Sequence, residues 1–133
     1  MLSNNHILLV SYLEEWISSK VDLSSTVLVS DNVKCIGAPS MPKIAGFRPD
    51  CIAIAMNGDY LYIGEAKTEN DLQNDHSLRQ IESYLIRLKE QGKGIFVLAV
   101  PWGCEGTATD LVRYLAERSS TSMVAWEVVS NRP

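Results

Sequence analysis

Cys51-Ile52-Ala53-Ile54-Ala55-Met56, then Asn57-Gly58-Asp59, then Tyr60-Leu61-Tyr62-Ile63-Gly64-Glu65-Ala66-Lys67 is the stretch that decides the fold. Two β-prone runs joined by Asn-Gly predict a hairpin, because that dipeptide adopts the left-handed turn matching the twist of paired strands. Strand residues two apart share a face, roughly 6.5–7 Å from one another. Leu61, Ile63, Glu65 and Lys67 therefore point one way, and Tyr60, Tyr62, Gly64 and Ala66 the other. The first face opens apolar and ends in an acid and a base. With the turn at Asn57-Gly58, Asp50 falls at the open end of the hairpin, beside Glu65 and Lys67.

Upstream, residues 5–20 repeat at helical spacing, with Leu9, Leu13, Trp16 and Lys20 on one stripe, flanked by Val10 and Ile17. Ser3, Asn4 or Asn5 can cap this helix. Residues 26–30 are β-branched and apolar, which predicts a strand. Residues 34–48, with Gly37, Pro39, Pro42 and Gly46, predict a loop. Downstream, residues 68–76 are polar and predict a loop or a frayed helix start. Ser77–Gln91 predicts a helix with a Leu78, Ile81, Leu85 and Leu88 stripe, stopped by Gly92 and Gly94. Ile95–Val100 is wholly apolar, as a strand buried on both faces should be. A helix over Thr107–Arg118, capped by Thr107 or Thr109, and a strand over Met123–Val129 complete the order α-β-β-β-α-β-α-β. This is an α/β fold, a mixed central sheet flanked by helices.

The 133 residues make one domain, 1–133, large enough for a core without disulfides or a structural metal. Apolar residues are 46% and charged residues 21%, which excludes disorder. No apolar run approaches the ~20 residues of a membrane-spanning helix, and no signal-peptide pattern precedes Ile7. Cys35, Cys51 and Cys104 are too far apart for a zinc finger and are odd in number. They predict reduced, buried thiols and a cytoplasmic protein. The net charge of −4 is not that of a general nucleic-acid binder. Yet residues 32–49 hold no acid, while Lys34, Lys43 and Arg48 lie there, so one loop can contact phosphates. Glycine-rich phosphate loops and nucleophile triads are absent.

Two neighbouring carboxylates repel unless a cation lies between them, and carboxylate oxygens suit Mg²⁺ or Mn²⁺. Such an ion activates water and polarises a phosphoryl oxygen. A lysine beside it orients that water or offsets transition-state charge. Arg48-Pro49-Asp50, 14 residues, then Glu65-Ala66-Lys67 resembles the motif of the PD-(D/E)xK nuclease superfamily, which includes restriction endonucleases, Holliday junction resolvases and RecB-like exonuclease domains. The resemblance covers residues 5–100 and implies a restriction-endonuclease-like core of order α-β-β-β-α-β. It implies Asp50, Glu65 and the Ala66 carbonyl as metal ligands and Lys67 as the catalytic lysine. It also implies an acid on the first helix; Glu14 is preferred over Glu15. Gln80-Ile81-Glu82-Ser83-Tyr84 resembles the Gln-x-x-x-Tyr element of RecB-like members, with Gln80 supporting the site and Tyr84 touching the nucleic-acid backbone. Gln80, Tyr84 and Arg87 are expected on one helix face apart from the leucines.

The implied activity is Mg²⁺- or Mn²⁺-dependent hydrolysis of DNA, by a homodimer or with a protein partner that selects the target. The rival is a non-catalytic binding or assembly module of the same fold. Other readings stay open for individual residues. Glu65 and Lys67 can be a surface charge pair, and Ser77-x-x-Gln80 can be a capping box. Trp102 can anchor a loop or stack a base. His6 and His76 are expected at the surface.

Overall fold

A computed structural model describes residues 4–30 and 41–131. Helix α1 (Asn4–Lys20) is followed by strands β1 (Thr26–Ser30), β2 (Cys51–Ala55) and β3 (Leu61–Ala66). A 3-10 turn (Asn70–Gln73), α2 (Asp75–Gln91), β4 (Gly94–Val100), α3 (Glu105–Arg118) and β5 (Ala125–Ser130) follow. The strands form one mixed sheet in the order β1-β2-β3-β4-β5. β1, β2 and β3 pair antiparallel, while β3, β4 and β5 pair parallel. The α/β architecture and the order of elements are those expected from the sequence. Lys34 and Cys35, and Ser3 as a cap, lie outside the described residues.

The hairpin closes where Asn-Gly predicts it. Gly58 takes φ 77°, and Ala55 N–H donates to Tyr60 O at 3.1 Å. Cys51 is then opposite Gly64 and Ile52 opposite Ile63. The two faces bury different helices. Ile52, Leu61, Ile63, Phe96 and Leu98 pack with Ile81, Tyr84 and Leu85 of α2 and with Val112 and Leu115 of α3. Cys51, Ala53, Ala66, Val97 and Ala99 pack on the other face with Leu9, Val10, Leu13 and Ile17 of α1. Gly64 lets α1 approach: a Cβ there would lie 2.9 Å from the Ile17 side chain. Phe96 to Val100 are fully buried, as a central strand covered on both faces requires.

The differences lie at element ends. α2 begins two residues before Ser77, capped by Asn74, whose side chain accepts from Ser77 N–H at 2.8 Å. Ser77 is therefore no cap, and Gln80 is not engaged in a capping box. α3 starts at Glu105, and neither Thr107 nor Thr109 caps it. Within the segment expected as a loop or frayed helix start, Asn70–Gln73 forms a 3-10 turn around buried Leu72 just ahead of α2. Freed from capping, the Ser77 hydroxyl is buried without a hydrogen-bond partner. Such a group carries its desolvation cost uncompensated. Ser77→Ala removes it in favour of a better helix former, so stability should rise by about 1 kcal/mol. A urea unfolding midpoint at or below that of the wild type would contradict this.

Candidate active site

The open end of the hairpin gathers Asp50, Glu65 and Lys67, and α2 adds Gln80. All four side chains are buried, with Glu65 only 3% exposed. Excluded from water, they must satisfy one another. β3 presents Glu65 toward α2, in the alternation read from the sequence, and Tyr84 O–H donates to Glu65 Oε1 at 3.3 Å. Lys67 Nζ lies 3.4 Å from Glu65 Oε2 and donates a short hydrogen bond to Gln80 Oε1. Gln80 Nε2 in turn donates to Tyr84 Oη at 3.1 Å. An amide suits this place because it accepts from an ammonium and donates to a hydroxyl at once.

Asp50 is held from the other side. Ala66 N–H donates to its Oδ2 at 2.8 Å, and Gly64 O accepts from Asp50 N–H at 3.1 Å. The N–H and C=O of one extended residue face the same neighbouring strand, so the Ala66 carbonyl faces the Asp50 side of β3. His6 Nε2 lies 3.5 Å from Asp50 Oδ1. Its hydrogen bond to Asp50 raises the imidazole pKa, against the lowering effect of burial. Burial pushes the Glu65 carboxyl well above the usual carboxylate range, and the charge of Asp50 adds to this; Lys67 acts in the opposite sense. Burial and the Asp50 charge thus favour the protonated form of Glu65, and a cation between the two acids would favour release of that proton.

The oxygen set fits a hard divalent ion. Mg²⁺ keeps several waters and takes one or two carboxylates, and Asp50, Glu65 and the Ala66 carbonyl supply two carboxylates and a carbonyl. Among the described residues, no group of three or more His, Cys, Asp or Glu side chains is placed to hold a metal. The remaining ligands must then be backbone oxygen, water or substrate.

Other expected residues fall elsewhere. The Glu14 carboxylate accepts from Ser30 Oγ at 3.2 Å on β1, and Glu15 is exposed. The α1 residue that meets Asp50 is His6, expected at the surface. Tyr84 is corrected: it is fully buried against Phe96, ring centroids 6.0 Å apart, and cannot touch a nucleic-acid backbone. It positions Glu65 instead. Arg87 lies on the same stripe of α2, three residues beyond Tyr84 and seven beyond Gln80, but it is exposed, 3.5 Å from Gln91 Oε1, while those two are buried. Lys43 and Arg48 are both exposed. They flank a tight turn in which Ile44 and Phe47 exchange backbone hydrogen bonds of 2.8 and 2.9 Å, just ahead of Asp50. Trp102 is 59% exposed.

His6 continues the buried α1 stripe one turn toward the N-terminus, four residues before Val10. That spacing was visible, but which end of the helix crosses over Asp50 depends on tertiary packing. Among the described residues, no helix is long and apolar enough to cross a membrane. Comparison of the chain with protein-family models, with curated proteins and with solved structures gives no match.

Proposed function

We propose that this chain is a metal-dependent nuclease of the PD-(D/E)xK, restriction-endonuclease-like superfamily, hydrolysing phosphodiester bonds of DNA. The observation that carries the reading is the burial of Asp50, Glu65 and Lys67 together at the open end of one hairpin, with Gln80 bonded to the lysine. Burial of two acids and an ammonium at one point costs stability, and such concentrations of perturbed groups mark functional sites.

Asp50, Glu65 and the Ala66 carbonyl would hold Mg²⁺ or Mn²⁺. When bound, the ion supplies Lewis acidity toward the phosphate and lowers the pKa of water. The protein's own groups do the rest. Ala66 N–H and His6 fix the orientation of Asp50. Tyr84 fixes that of Glu65. Gln80 restrains Lys67 by accepting one of its three hydrogens, which leaves the ammonium able to orient the attacking water and offset charge that builds on the phosphate. Lys43 and Arg48, exposed ahead of Asp50, are placed to contact flanking phosphates. The described residues form one domain around a single sheet, and we assign target selection to a second copy or a protein partner.

Incubation with single-stranded, duplex and branched DNA tests this reading. Cleavage should appear with Mg²⁺ or Mn²⁺ and vanish with EDTA. Cleavage that persists in EDTA would contradict it.

A further inference from the structure

Where β3, β4 and β5 end, a cleft of about 380 Å³ opens, lined by Leu8, Thr68, Glu69, Asn70, Pro101 and Asn131 among others. Thr68 follows Lys67 directly, so the cleft starts one residue from the proposed reaction centre. Its volume lies toward the small end of ligand sites. It accommodates one base with its sugar and is too small for a duplex.

The lining is chemically mixed. Asn70 and Asn131 carry both donors and acceptors, Thr68 a hydroxyl that donates to Asp71 Oδ2 at 2.9 Å and so offers the ligand only an acceptor, and Glu69 an acceptor-only carboxylate. Base edges offer the complementary mixture of N–H donors and carbonyl or ring-nitrogen acceptors. The Glu69 charge disfavours a phosphate in the cleft, which leaves phosphate to Lys67 and the basic turn. Asn131 Oδ1 accepts from Trp102 N–H at 3.1 Å, leaving its amide hydrogens for a ligand. Leu8 on the lining is 61% exposed, and Trp102, which follows the lining residue Pro101 and whose backbone N–H bonds the lining residue Asn131, is 59% exposed at the rim. Aromatic and apolar surface at a phosphate-handling site suits base stacking.

We infer that this cleft binds one unpaired base of a DNA strand, which makes single-stranded or frayed DNA the preferred substrate. In a duplex the Watson–Crick edges are paired and the base faces stacked, so only an unpaired base can enter the cleft and present them. The inference rests on the nuclease reading and names the substrate form of that site.

The test measures fluorescence anisotropy of a labelled 20-nucleotide single strand and of its blunt duplex, with Ca²⁺ in place of Mg²⁺. The single strand should bind at least about tenfold more tightly. Loss of one stacking partner costs about fivefold or more in affinity. Trp102→Ala should therefore weaken single-strand binding five- to tenfold, and Asn70→Leu, which removes hydrogen bonds to the base edge, about two- to tenfold, each changing duplex binding less than twofold. Equal affinity for the two DNAs, no binding of either, or variants that weaken neither form or both alike would overturn the inference. Mn²⁺ uptake together with equal affinities would remove the cleft and leave the nuclease reading standing. Tight single-strand binding without metal uptake would remove the nuclease reading and leave the cleft.

Discussion

Lys67→Met and Asp50→Asn should each lower Mg²⁺-dependent DNA hydrolysis by about 10³-fold, the scale on which removal of one preorganised charge-stabilising group acts in a buried site. The two variants lose different parts. Asp50→Asn removes one of the two acidic side chains proposed to hold the ion. Lys67→Met removes the ammonium that Gln80 restrains and keeps the length of the side chain. Neither loss should reflect unfolding. Lys67 is buried beside a carboxyl whose burial already favours its protonated form. Loss of the ammonium leaves Gln80 Oε1 and Glu65 without their donor. Removal of one partner of a buried pair costs about 3–5 kcal/mol, less where burial already favours the neutral carboxyl, so circular dichroism at the assay temperature should still show both variants folded. A Lys67→Met protein that keeps more than a tenth of wild-type hydrolysis would contradict the role given to the lysine.

Phe96→Ala should cost the fold about 3–5 kcal/mol, the usual price of emptying a large aromatic site in a core. Phe96 is fully buried on the central strand, paired opposite Ile63 and packed on Tyr84. The cavity would open directly beneath the ring that orients Glu65, so the loss reaches the candidate site through packing. Against the 5–15 kcal/mol that holds a domain together, this is a large fraction. Urea denaturation followed by circular dichroism measures it. A loss below about 1 kcal/mol would show that Tyr84 and the helix collapse into the space.

Much of this architecture was legible because local signals agreed with the global fold. Asn57-Gly58 between two β-prone runs specified a turn, and the period of two then placed Glu65 and Lys67 on the face that α2 covers. The apolar run at 95–100 could only be a covered strand. Where two local signals competed, the reading failed. Asn74 and Ser77 both qualify as caps; the chain uses Asn74, which starts α2 earlier and leaves Gln80 free to bond Lys67. Tyr84 falls four residues after Gln80 and three before Arg87. That spacing does not tell a buried polar face from an exposed one, and packing against Phe96 decides it. The meeting of His6 with Asp50, and of Glu14 with Ser30, depends on the angle at which α1 crosses the sheet. No periodicity encodes that angle.

The central claim is that Asp50 and Glu65 together form a divalent-metal site. It is tested most directly by calorimetric titration of Mn²⁺ into the wild type, Asp50→Asn and Glu65→Gln, with and without DNA. This measures the ion itself and does not depend on finding the right substrate. Binding to the wild type should be saturable and should disappear in both variants. No binding in any of the three proteins, with DNA absent and present, would contradict it and turn the same fold into a binding or assembly module.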